Sequence, residues 1–337
     1  MVMREDVGRQ LPNLVELAEA GDDQAVRRAL LGWSPAKLVS ATGQGRRRYG
    51  ATGVGRVDGC GMGVSWLLAI SWDGRCREAS VVRMTTDRSP LADRMLALLL
   101  SDHVEQVRRR AWRAVEQRLD PNRAAHTLPV LVALRSRQRG RQALDGYRDL
   151  VAERLAVEPW RLAWLSDDLP TRRWAAEEWL ATGPTLTEVV ERLETETEQY
   201  VASTFIRHVS QQAKAADSSL LLASRHGRLR ADGAWLSSDP SVLERLLGDR
   251  SALVRRAAQS RLAAQGFDVV GWNERNRSQS RALRALRAAI EVGVEIPVDD
   301  LLDLAEGDDP ADRRRSRWRG SSRCWTDHGS PVRPPRP

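Results

Sequence analysis

The chain has 337 residues, 42% of them hydrophobic, with twelve Trp against two Phe and three Tyr, which allows one extended domain or two compact ones with a substantial core. Its three cysteines (Cys60, Cys76, Cys324) are scattered without a CxxC spacing, arguing against a disulfide framework or a zinc site and for a reducing compartment. The net charge of +8 invites a nucleic-acid reading, but Arg313 to Pro337 alone holds eight Arg and one Asp, so residues 1–312 are close to neutral.

The N-terminal MVMREDVGRQLPNL lacks the apolar stretch of a secretion signal. The longest apolar run, around Gly63 to Ile70, is far short of the roughly 18–20 residues a membrane span needs. The expectation is a cytoplasmic protein with no membrane segment. All but two of the 53 basic residues are Arg, the exceptions being Lys37 and Lys214, a bias expected of high-GC bacterial coding.

The first patterned element is LAEAGDDQAVRRALLGW, an apolar helix, a turn and a second amphipathic segment, with Asp23 four residues before Arg27. It is followed by GQGRRRYGATGVGRVDGCGMG (Gly43 to Gly63). This stretch contains neither GxGxxG nor GxxxxGK[ST] and follows no recognisable strand, so it reads as a loop insertion between helices rather than a phosphate-cradling loop. The pattern returns in WLLAISWDGRCREASVV, with Asp73 and Arg77. It returns again in LLSDHVEQVRRRAWRAV, where Asp102 and Arg108 stand six apart. Val104, Val107, Ala111, Val115 and Leu119 there fall at helical spacing.

Beyond the Arg-dense RSRQRGR (Arg135 to Arg141), RGRQALDGYRDLVAERL reads as a degenerate unit. EPWRLAWLSDDLPTRRWAAEEWL follows, carrying Asp168, Arg172 and four tryptophans, Trp160, Trp164, Trp174 and Trp179. The simpler reading of these Trp is packing between paired helices. The functional one is an aromatic and Arg surface, with Arg139 and Arg141, for a protein partner or for stacked bases. Further degenerate units are read through Phe205 to Gln212 and Ser278 to Ile290. LLGDRSALVRRAAQSRL restores the pattern, with Asp249, Arg255 and an apolar face of Val254, Ala257, Ala258 and Leu262. Asp309 and Arg313 open one more copy, after which helical periodicity stops. Residues 313–337 are rich in Arg, Ser and Pro, as expected of GC-rich DNA read in a shifted frame, with a genuine basic tail as the alternative. Either way this segment is expected to be disordered.

The recurring unit is helix, turn, helix. A turn Asp can cap the free N–H groups of the helix that follows. An Arg in the first helical turn is poorly placed for the helix dipole unless its guanidinium reaches a carboxylate in its own or a neighbouring unit. The pairs Asp23/Arg27, Asp73/Arg77, Asp102/Arg108, Asp168/Arg172 and Asp249/Arg255 are therefore read as a structural ladder between repeats. The Val-Arg-x-x-Ala opening of the second helix, with the turn Asp and the preceding apolar helix, resembles HEAT and HEAT-like repeats, including the phycobilisome-lyase-type group. The resemblance implies an all-α solenoid of roughly eight to ten helical hairpins over residues 1–312, and it carries no catalytic residues.

Chemistry-bearing motifs are missing. The five His (103, 126, 208, 226, 328) form no HxxxH or HxxEH pair, and there is no GxSxG. The adjacent acids Glu177-Glu178, Asp299-Asp300 and Asp308-Asp309 read as solvated faces and caps. No cofactor, metal or catalytic residue is expected. The leading expectation is a non-catalytic scaffold binding a protein or peptide on the concave solenoid face. The alternative is a nucleic-acid protein resembling alkylpurine DNA glycosylases built of HEAT-like repeats. A lyase-like or chaperone role toward a tetrapyrrole protein is suggested by the repeat name alone.

Overall fold

The computed structural model describes residues 2–48 and 61–275, with side chains considered from residue 7 to 42 and 61 to 272. Cys60, Cys324, the copy at Asp309, the unit at Ser278 to Ile290 and the 313–337 tail lie outside them. The fold is all-α, with no strand among the described residues. No helix there is long and apolar enough to cross a membrane.

The chain divides into two units. The first comprises residues 1–185 and 196–205, the second 186–195 and 206–337. In the first, α1 (Val2–Glu19) packs on α2 (Asp23–Leu31) and α3 (Pro35–Arg48), and α4 (Met62–Leu68) on α5 (Gly74–Thr86). The next pairs are α6 (Pro90–Leu99) with α7 (Glu105–Arg118), and α8 (Pro121–Leu134) with α9 (Gln138–Leu155). Then come α10 (Pro159–Trp164) and α11 (Leu169–Ala181), also packed together. Helices two apart in the chain also meet, α5 with α7 and α6 with α8. In the second unit, α12 (Leu186–Thr195) is followed by the end of α13 (Gln199–Gln212). There α14 (Ser218–Ala223) packs on α15 (Gly227–Leu236), α16 (Pro240–Leu246) on α17 (Ala252–Ala264), and α15 on α17.

The helix boundaries follow local chemistry. Ser-Pro and Asp-Pro steps start α6, α8 and α16: Ser89, Asp120 and Asp239 accept N–H bonds of the first turn, and Pro90, Pro121 and Pro240 occupy its opening position. The sequence placed an insertion at 43–63, but α3 runs on through Arg48 and α4 starts at Met62, so part of that stretch is helical. Its remainder lies outside the described residues.

A core of Leu, Val, Ala and Met runs through the first unit, from Val7 to Ala175. It includes Leu91, Met95, Leu96 and Leu99 of α6 and Val107 and Ala111 of α7, each at most 2% exposed. The second unit has its own cluster, in which Val254, Ala257, Ala258 and Leu262 line one side of α17. The early elements reach later ones within the first unit. The Arg94 guanidinium on α6 donates to the carbonyls of Leu31 and Trp33. Arg137, before α9, donates to Val39 O at 3.3 Å, and α3 packs on α8.

Candidate functional site: a recurring arginine turn

Three of the Arg residues singled out by sequence, Arg77, Arg108 and Arg255, share one local geometry with Arg230. Arg77 donates Nη1 to the carbonyl of Ser71, six residues back, at 2.8 Å. Arg108 does the same to Asp102 O at 2.7 Å, Arg230 to Ser224 O at 2.9 Å and Arg255 to Asp249 O at 2.8 Å. Each guanidinium thus satisfies a carbonyl left over where the preceding helix ends. The two Asp–Arg spacings in the sequence are one motif seen from different positions. Asp102 and Asp249 sit at the carbonyl position, six before the Arg. Asp73 and Asp168 sit two residues later, as N-caps accepting from Arg75 N (2.8 Å) and Thr171 N (3.1 Å). At Ser71, Ser166 and Ser224 the hydroxyl accepts the N–H two residues on, at 3.1 to 3.2 Å.

Two of these arginines, and Arg172 besides, cross to the carboxylate of a later turn. Arg77 holds Asp102 through Nε (2.7 Å) and Nη2 (3.0 Å), and both side chains are fully buried. Arg230 holds Asp249 in the same bidentate way, at 2.9 Å for each bond. Arg172 reaches Glu196 at 2.9 Å. The acceptor in each case also receives nearby backbone N–H groups: Val104 on Asp102, Ser251 on Asp249, Thr197 and Glu198 on Glu196. Burial pushes the Asp249 carboxyl up, but the hydrogen bonds from Arg230 and Ser251 N–H outweigh it and hold it below the ordinary range. This contact therefore contributes stability that is fully present above the ordinary carboxylate range and is lost below it, as the pH falls through the depressed value of Asp249.

Of the two options left open by the sequence, Arg77 takes the carboxylate of the neighbouring unit. Asp73 with Arg77 and Asp168 with Arg172 do not pair within their own turns. Asp23 accepts instead from Met62 N and Gly63 N at 2.7 Å, capping α4, while Asp22 caps α2 and Arg27 is exposed. Arg230 and Glu196 were missed. A signal for Arg230 was present, since SWDGRCR (71–77) and SRHGRLR (224–230) share Ser, Gly and both Arg at matching places. A Cβ on Gly227 would lie 2.7 Å from Ser251 Oγ and 3.0 Å from Ser251 Cβ, so the following turn approaches closely here.

The tryptophans divide. Trp174 is 4% exposed and belongs to the core, so the expected surface role fails there. Trp160, Trp164 and Trp179 are half-buried and pack on one another edge to face. Trp164 also stacks on buried Phe205 at 5.9 Å between centroids, and Trp179 meets Phe205 edge-on. These contacts join α10, α11 and the first part of α13. Aromatic pairs contribute roughly 0.5–1.5 kcal/mol beyond their buried area. Because Trp164 is only half-buried, Trp164→Ala is expected to cost about 2 kcal/mol, read by urea unfolding. A loss near zero would return Trp164 to a surface role. Arg139 and Arg141 are exposed near the start of α9.

A second polar cluster in the core had no sequence signature. Asp93, 4% exposed, accepts from Arg118 at 2.7 Å and Arg123 at 3.1 Å, and Arg118 also donates to the carbonyls of Met84 and Thr85. Burial raises the Asp93 carboxyl despite both guanidinium groups, and burial raises the nearby Tyr147 hydroxyl. Arg118 closes the end of α5 as the turn arginines close theirs. The adjacent acids Glu177 and Glu178 are ion-paired, with Arg135 and Arg173 on Glu177 and Arg148 on Glu178 at 2.6 Å. Among the described residues no three His, Cys, Asp or Glu side chains converge on a metal-sized site.

No protein-family model matches the chain, and no curated protein matches it. The functional reading therefore rests on the residues themselves.

Proposed function

We propose that the chain is a binding scaffold built from HEAT-like helical hairpins stacked as an α-solenoid, which takes up a protein or peptide. The observation that carries this reading is the recurrence of the arginine turn. Equivalent turns at Ser71, Asp102, Ser166, Ser224 and Asp249, several tied to a later turn by an arginine, are what stacked repeats of one design require. The meetings of α5 with α7, α6 with α8 and α15 with α17 support it. So do large apolar side chains left in solvent: Trp72, Leu165 and Tyr200 in the first unit, Trp235 and Leu253 in the second. Exposed Trp and Tyr are the residue types that anchor protein interfaces.

Photo-crosslinking in the native cell from Trp72 and Tyr200 tests it. One discrete protein adduct at either position is expected, absent when the crosslinker replaces exposed Arg27 instead. A nucleic-acid role makes the opposite demand. Phosphate contacts give log K a slope of about −0.9 against log salt for each phosphate neutralised on duplex DNA. A chain ending at residue 312, which leaves out the +7 tail, is expected to bind duplex and single-stranded DNA no better than a neutral control at physiological salt. Salt-sensitive binding by that form, lost in Arg139→Gln/Arg141→Gln, would replace the scaffold reading with the nucleic-acid one.

A further inference from the structure

One cavity in the first unit has a composition that the scaffold reading does not use. Its volume is about 370 Å³, and it opens where the α6–α7 turn, the α8–α9 turn and α3 come together. Leu98 and Leu134 give it an apolar base. Around them stand Ser101 and His103 from the first turn, Arg137, Gln138 and Arg139 from the second, and Thr42 from α3. Two arginines and a histidine from two separate turns thus line it, together with residues that carry hydroxyl and amide groups. No carboxylate is among the described lining residues. The Asp102 carboxylate lies 3.4 Å from His103 Nδ1 and is engaged by Arg77.

The same turn departs from the others at one position. Arg141 N donates to Arg137 O as Arg77 N does to Asp73 O, so Arg141 stands where Arg77, Arg108, Arg230 and Arg255 stand elsewhere, and Arg135 stands where Asp102 and Asp249 supply a carboxylate. The acid of those turns is thus replaced by an arginine in the turn that lines the cavity. Arg137 donates to Val39 O at 3.3 Å, and Arg137 and Arg139 are both exposed. A volume of this size is at the lower end of small-ligand sites. Planar guanidinium forks match the oxygens of a phosphate, and the positive end of α9 adds to the same field.

We propose that this cavity binds the phosphate group of a small phosphomonoester. Arg137 and Arg139 would supply the charge-assisted bonds, and His103, Ser101 and Thr42 the remaining donors. The apolar base of Leu98 and Leu134 would take the ester's carbon side. This inference does not depend on the scaffold reading.

Calorimetric titration of the full chain with inorganic phosphate, and separately with glycerol phosphate, at constant ionic strength against chloride tests it. Saturable one-site binding of both is expected, tighter for the ester, together with amide chemical-shift changes confined to residues 101–103 and 137–141. Arg139→Gln is expected to weaken both at least about tenfold. Arg139 makes no packing contact in the core, so this variant reports on binding rather than folding. Arg109→Gln, whose arginine sits on α7 outside the cavity, is expected to leave binding unchanged. Three results would overturn the proposal: no saturable heat up to about 10 mM phosphate, affinity equal to wild type in Arg139→Gln, or shift changes located elsewhere. Unchanged affinity in Arg139→Gln would assign any phosphate uptake to other basic segments of the chain.

Discussion

Arg77→Ala is expected to lower the unfolding free energy by about 3–5 kcal/mol, the range for removing one partner of a buried ion pair. Arg77 and Asp102 are both fully buried. Without the guanidinium the buried Asp102 carboxylate would lose its bidentate partner, and the carbonyls of Ser71 and Trp72 would lose their donors. Arg77→Lys is expected to fall between wild type and Ala, because an ammonium keeps the charge but cannot span two carboxylate oxygens and two carbonyls together. Arg230→Ala should cost less, since its side chain and that of Asp249 are 9% and 12% exposed. Arg27→Ala, at an exposed position, should stay within about 0.5 kcal/mol of wild type. Urea unfolding followed by circular dichroism gives all four. Equal losses at Arg27 and Arg77 would mean that burial of the pair is not what matters.

Gly140→Ala is expected to cost about 3 kcal/mol, at the upper end for overpacking. A Cβ there would overlap the Leu134 carbonyl oxygen and lie 2.7 Å from Leu134 C and 2.8 Å from its Cβ. Two of these three atoms are backbone, so no side-chain rotation relieves the clash, and α9 must move away from the end of α8. Gly248→Ala is the comparison: its Cβ would meet only Arg245 O, at an ordinary 3.7 Å, and it is expected to be near neutral. A melting temperature for Gly140→Ala equal to that of wild type would show that α8 and α9 do not approach this closely.

Much of the helical layout was readable because it rests on local chemistry. The apolar period of LLGDRSALVRRAAQSRL gave the buried residues Val254, Ala257, Ala258 and Leu262, and the turn residues gave the approximate helix starts. Register across turns was not readable. Asp102 is 25 residues from Arg77, Glu196 is 24 from Arg172 and Asp249 is 19 from Arg230. A variable separation of this kind is invisible to a search for fixed spacing, and Asp73 and Asp168 stood closer in sequence as competing partners. The Asp93 cluster escaped for a related reason. Its partners come from different helices, and a charged residue on an amphipathic helix reads as solvent-facing until packing shows otherwise. Trp174 was the reverse case: grouped with its neighbours as a surface candidate, it faces inward.

The links from Arg94 to Leu31 and Trp33, and from Arg137 to Val39, bear on how the first unit comes apart. In an ideal linear array each repeat touches only its neighbours, so end units fray independently and unfolding spreads from the ends like a one-dimensional zipper. Here contacts separated by 61 to 98 residues fasten the opening helices to α6 and to the approach to α9. Releasing α1–α3 would uncover a face of α6 and α8 as well as the helices' own apolar sides. Such long-range closure raises contact order and slows folding, and it makes loss of the amino-terminal helices and loss of the middle of this unit one cooperative event.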